Sequence, residues 1–186
     1  MTEQILLNKL LGAFEKLTGF HAVVQSDHAY IHEGYAQTAI IETPSSATPY
    51  YIGFTTPTVE SNKFIHWRPL GLQSSADYVT VKLFEDVAFT GGSATTVFNR
   101  NRNRQPDSPS VMQAFNEAVS ASPTGDPIQQ VGMGTSGNAF SRSGGSAGAD
   151  EELLLLPDTD YVIQIIPAGT TIITVTSFWY EEEPVF

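Results

Sequence analysis

Two hydrophobic periods run through this chain, and the change from one to the other falls near residue 20. Residues 3–17 place Ile5, Leu6, Leu10, Phe14 and Leu17 near helical spacing, Leu7 and Leu11 widen the apolar side, and Gly19 supplies a stop. This pattern predicts a short helical arm over residues 1–19. Such an apolar helix docks on its own domain or on a neighbouring subunit, with Leu6, Leu10 and Phe14 as its contact residues.

From residue 20 the period shortens to two. Residues 21–25, 29–33, 36–42, 50–54 and 63–67 are short β-prone runs separated by polar, Gly or Pro punctuation. Over residues 78–84 Val79, Val81 and Leu83 alternate with Tyr78, Thr80, Lys82 and Phe84, the mark of a strand with two unlike faces. Residues 89–98 read as a turn and a strand, 111–121 as an extended edge or else a brief helix capped by Ser110, and 128–133 as a strand. The run from Leu153 to Leu156 predicts a buried strand, residues 160–166 alternate, and 171–180 form the longest β-branched stretch. Between them, residues 132–150 are dominated by Gly, Ser and Ala and read as a long exposed loop. Nine or more short strands in one chain predict an all-β fold, a β-sandwich or jelly roll over residues 20–186, with a short N-terminal helix.

Composition supports that class and removes several others. The chain has 186 residues, enough for one packed domain, with 41% hydrophobic and only 16% charged residues. It holds no cysteine, which excludes disulfides, zinc-thiolate sites and thiol nucleophiles. No apolar run approaches the roughly 20 residues that span a bilayer, so no membrane partner is expected. The N-terminus does not read as a secretory signal. A formal net charge of -11 argues against nucleic acid, whose phosphates call for clustered Lys and Arg.

Against that acidic background one segment stands out. Residues 97–104 read Val-Phe-Asn-Arg-Asn-Arg-Asn-Arg and hold three of the nine basic residues. In extended backbone Arg100, Arg102 and Arg104 share one face, and Asn99, Asn101 and Asn103 the other. The polar run from 99 to 104 is unsuited to a buried strand. It is expected to leave a sheet and cross a surface, where guanidinium groups pair with carboxylates of this chain or another. Arg100, Arg102, Arg104, Asn99 and Asn101 are therefore candidate protein-contact residues.

Other candidate chemistry is weaker. Gly132-Met-Gly-Thr-Ser-Gly137 matches the glycine spacing of a dinucleotide-binding turn, but the residues after it are poor helix formers and no βαβ alternation surrounds it, so it reads as a loop. His28 and His32 on one strand would lie roughly 13 Å apart, too far to share a metal ion. His66, between Ile65 and Trp67, reads as structural. The acidic runs at 150–152 and 181–183 sit at element ends as solubilising charge, and no Gly-x-Ser-x-Gly elbow occurs. No enzyme activity, cofactor or metal is expected.

Taken in order, the features resemble a virion-protein family of tailed bacteriophages. The resemblance runs from His28-Ala-Tyr-Ile-His-Glu-Gly34, through a strand histidine at His66 and the Asn-Arg-Asn-Arg run at residues 99–102. It continues through Gly134-Thr135 and the Gly-rich loop to the strands of residues 152–156 and 161–166, ending at Phe178-Trp-Tyr-Glu181. It covers roughly residues 28–183 and excludes the N-terminal helix. What it implies is a β-sandwich that decorates or cements the head from outside, with the major capsid protein as partner. Jelly-roll domains often meet three to a site, so a homotrimer is expected. Another virion part, a head fibre base, neck or tail protein binding host glycans, is the alternative. Trp67 or Trp179 would then stack on sugar rings, although a core position suits both better.

Overall fold

The protein is described by a computed structural model over residues 31, 34–75, 77–101, 110–117, 119–133 and 152–182. The helical arm with Leu6, Leu10 and Phe14, the histidines at 28 and 32, Arg102, Arg104, and the Gly-rich loop from residue 134 to 151 lie outside those residues.

Thirteen strands occur among the described residues, and every pairing is antiparallel. They are β1 (Ala36–Glu42), β2 (Tyr50–Thr55), β3 (Phe64–Ser74), β4 (Val79–Glu85), β5 (Phe89–Thr90), β6 (Ser93–Ala94) and β7 (Val97–Asn99). There follow β8 (Gln113–Asn116), β9 (Ser120–Ala121), β10 (Gln129–Met133), β11 (Leu153–Leu155), β12 (Asp160–Pro167) and β13 (Ile173–Glu182). One sheet has the order β11-β3-β13-β1-β7, the other β10-β4-β12-β2-β8-β6, and β5 pairs with β9 in a small flap.

The connectivity is that of a jelly roll. The first long strand pairs with the last, β1 with β13, and the pairing nests inward: β2 with β12, β3 with β11, β4 with β10. Each step from β1 to β4, and again from β10 to β13, crosses from one sheet to the other. An antiparallel ribbon folded over itself in this way gives two facing sheets and the Greek-key crossings of the double-sheet architecture.

Alternation decides what lies between the sheets. Val79, Val81 and Leu83 point inward as their spacing predicts, opposite Ile41, Val175 and Ile173 of the other sheet's inner face. Trp67 and Trp179 are neighbours in the β3–β13 register, stack at 6.1 Å between centroids, and are fully buried, with Phe54 edge-on to Trp67 at 4.8 Å. Both tryptophans are core residues, so neither offers the sugar platform of the glycan-binding alternative. Each large side chain buried this way contributes about 1.5–3 kcal/mol.

Three expectations need correction. The strand expected over residues 63–67 continues to Ser74, through Pro69 and Gly71. The β3–β13 register shifts between Thr176 and Phe178, so β3 carries one extra residue there, a bulge of the kind in which a strand tolerates proline. The Leu153–Leu156 run is not uniformly buried. It lies at a sheet edge with one face to solvent, so Leu155 is buried while Leu154 and Leu156 are exposed. Asn99 is buried at the end of β7 rather than lying on the surface, because its amide is used within the chain, as set out next.

Candidate functional site

The outer face of the five-stranded sheet collects the candidate contact residues. Two rows cross it at right angles to the strands. The register places Arg68, Phe178, Thr38 and Phe98 in one row. Continued by one residue, the β11–β3 register sets Glu152 at the end of that row, beside Arg68. The next row holds Leu154, His66, Tyr180 and Ala36, and Arg100 completes it, donating its backbone N–H to the Ala36 carbonyl at 2.9 Å.

At one end of the rows the charges are locked together. Glu152 Oε1 lies 2.6 Å from His66 Nδ1, its Oε2 lies 3.2 Å from Arg68 Nε, and the Tyr180 hydroxyl donates to Oε2. His66 Nε2 lies 3.2 Å from Glu182 Oε2, and the imidazole stacks on the Tyr180 ring at 4.6 Å. The cluster ties β11, β3 and β13 together and fastens the chain where it re-enters the sheet at Glu152. Its polar atoms are turned on one another, which suits holding strands rather than presenting a free base or nucleophile. Among the described residues no three His, Asp or Glu side chains converge as metal ligands, since the two nitrogens of His66 face different carboxylates.

At the other end stands the described part of the Arg-Asn run. Alternation at Asn99 and Arg100 is as expected: Asn99 points inward and Arg100 outward. Asn99 Nδ2 donates to the Gly34 carbonyl at 2.5 Å, and its Oδ1 accepts the Asn101 N–H at 2.8 Å. The Arg100 guanidinium lies over the Phe178 ring at 4.3 Å, a cation–π contact where a carboxylate was expected. Arg100 remains exposed beside that ring. Asn101 continues the chain beyond the sheet.

The returning end of this segment is also pinned. Glu181, 2% exposed, accepts the Ser110 hydroxyl at 2.6 Å, the Val111 N–H at 3.0 Å and the Trp179 indole N–H at 3.3 Å, with Lys63 Nζ at 3.7 Å. A buried carboxylate with this many donors is stable only in place. The run from Asn101 to Ser110 is thus held at both ends on the five-stranded sheet.

Between and around these groups the face is apolar and, among the described residues, uncovered. Ile40 is 56% exposed, Phe98 41%, Phe64 40% and Leu154 58%, and all four point outward from this sheet. Residue-by-residue reading found Arg100 but missed Phe178, Tyr180, His66 and Glu152. They come from β13, β3 and the residue before β11, far apart in sequence, and only the nested pairing brings them together. Comparison of the chain with protein-family models, with curated proteins and with solved structures finds no match.

Proposed function

We propose that this protein decorates the head of a tailed bacteriophage, binding the outside of the capsid through the outer face of its five-stranded sheet. The observation that carries the reading is that face: Ile40, Phe64, Phe98 and Leu154 exposed around an arginine that lies over an aromatic ring. Apolar and aromatic side chains with arginine, and few free carboxylates, are what the core of a protein interface is made of. The resemblance in feature order and the jelly-roll connectivity are consistent with it, although a fold alone assigns no function. The partner is the major capsid protein, and a homotrimer would set three such faces on one lattice site.

Packaged DNA presses outward on a shell, and a clamp that buries surface across capsomer seams offsets that load. A clamp that binds only the expanded lattice stabilises it by mass action. The reading assigns no catalytic step and calls for no cofactor. With a net charge of -11 the protein approaches a protein partner rather than nucleic acid.

Immunogold labelling of purified particles tests the proposal. Gold spread over the whole head is the expected result, because decoration demands hundreds of copies. Label restricted to the neck or tail would overturn it in favour of a tail component.

A further inference from the structure

The outer face of the six-stranded sheet carries a polar row that neither the core nor the proposed attachment face uses. The register sets Gln130, Lys82, Gln164 and Tyr51 side by side across β10, β4, β12 and β2. All four are outward positions, since the next residue along each strand packs on the core. Neighbouring strands lie about 4.8 Å apart, so the row runs for about 14 Å. Gln164 Nε2 donates to the Tyr51 hydroxyl at 3.3 Å, which aligns those two side chains. Among the described residues no ion pair engages Lys82 and no side-chain hydrogen bond engages Gln130.

The row is bordered on both sides. Two residues along the strands in one direction, the Phe89 ring of the β5–β9 flap rests on Gly53. Two residues along in the other direction, Gly132 follows Gln130 on β10. A Cβ at Gly132 would collide with the hydroxyl and ring of Tyr78, so the phenol end of that side chain is seated on bare backbone. Tyr78 is nevertheless 43% exposed. A tyrosine supported by glycine and open to solvent offers ring surface to a ligand at little ordering cost.

The side chains define the ligand. Amides and hydroxyls both donate and accept, and a lysine donates. An apolar ligand would leave those groups unmatched. A polyanion would meet one cation on a protein of net charge -11, which opposes its approach. A chain of neutral sugars carries hydroxyls that donate and accept along its length, and C–H faces that lie on aromatic rings. We infer that this row binds a neutral polysaccharide, with Tyr78 and Tyr51 meeting sugar faces and Gln130, Lys82 and Gln164 meeting hydroxyls. The inference does not rest on the capsid reading, because it concerns the opposite sheet.

Affinity electrophoresis of the full chain in native gels containing dextran, mannan or arabinogalactan, paired with a glycan array, tests it. Retardation by at least one neutral polymer is expected, with array signal on neutral glycans of the same sugar. Tyr78→Ala should weaken that binding about tenfold at an unchanged melting temperature. Lys82→Ala and Gln164→Ala should each weaken it about fivefold. Binding to no neutral glycan, or retardation by heparin alone, would overturn the inference, as would full binding by Tyr78→Ala. Should Tyr78→Ala fail to fold, Gly132→Ala displaces the same ring without removing it. Weakened binding then supports the platform, and unchanged binding overturns it. Ile40→Asp, on the other sheet, should bind glycan as the native chain does. Head labelling without glycan binding would remove this inference and leave the capsid reading standing, and glycan binding without head labelling would do the reverse.

Discussion

The outer faces of the two sheets are built to opposite ends. On the six-stranded sheet the apolar row Gly53, Val162 and Phe84 is buried, and the Phe89 ring of the β5–β9 flap rests so closely on Gly53 that a Cβ there would lie 2.6 Å from it. Phe115 packs against Phe89 at 5.5 Å, and the neighbouring positions are polar: Tyr51, Lys82 and Gln164. That sheet covers its own apolar surface. The five-stranded sheet leaves Ile40, Phe64, Phe98 and Leu154 exposed and spends its order on charge pairing and an arginine–aromatic stack. One face is covered by a flap, and among the described residues nothing covers the other.

Matched substitutions put that contrast at risk. Val162 and Ile40 are both outward strand positions, on the six-stranded and five-stranded sheets respectively. Val162→Asp should bury an unpaired carboxylate and cost about 4 kcal/mol or prevent folding, as read by denaturant unfolding. A mild effect would mean that the flap does not seal its sheet.

Tyr161, at the inner side of the six-stranded sheet, gives the next largest effect. Burial first, and then donation to Glu85 Oε2 at 2.7 Å, push its hydroxyl above the usual range of a phenol. The sign follows from that direction. The unfolded chain ionises near the ordinary value of 10.0 while the folded chain resists, so the contribution is complete below pH 10 and is lost as pH rises past it. Melting temperatures from pH 8 to 11.5 should fall more steeply for the native protein than for Tyr161→Phe. The substitution itself should cost about 1.5 kcal/mol at pH 7 through the lost bond to a carboxylate. Parallel curves would contradict the assignment.

On the five-stranded face the effects on folding are smaller. Arg100→Ala should lose about 0.5–1 kcal/mol from the stack on Phe178. Arg100→Lys should recover only part of it, because an ammonium cannot lie flat on the ring. Ile40→Asp should change stability by no more than about 0.5 kcal/mol, yet abolish attachment to particles. The pair Val162→Asp and Ile40→Asp thus separates a face that holds the fold from the face proposed to meet a partner.

How far the sequence carries this account depends on how local each feature is. The strands of residues 36–42 and 78–84 were legible because alternation of period two is written in adjacent residues. So was the placing of Arg100 and Asn99 on opposite faces, though not that Asn99 is the inward one. The two-residue strands β5, β6 and β9 are too short to show a period. The strand read over residues 63–67 stops short of Ser74 because a bulge has no signature apart from the partner strand that reveals it. Alternation through residues 160–166 identifies Val162 as outward but cannot say that a flap covers it. The ion cluster was beyond reach for a related reason. Glu152, His66, Tyr180 and Arg68 meet only because β11, β3 and β13 pair across long stretches of chain.

The claim that the five-stranded face is the attachment surface can be tested by footprinting in this cysteine-free protein. Single variants Ile40→Cys and Lys82→Cys place one thiol on each outer face, and maleimide labelling is compared before and after assembly onto particles. The account expects the thiol at position 40 to be protected on the particle while the one at position 82 stays reactive. Protection at position 82 with free reaction at position 40 would contradict it, and would turn the molecule over on its partner.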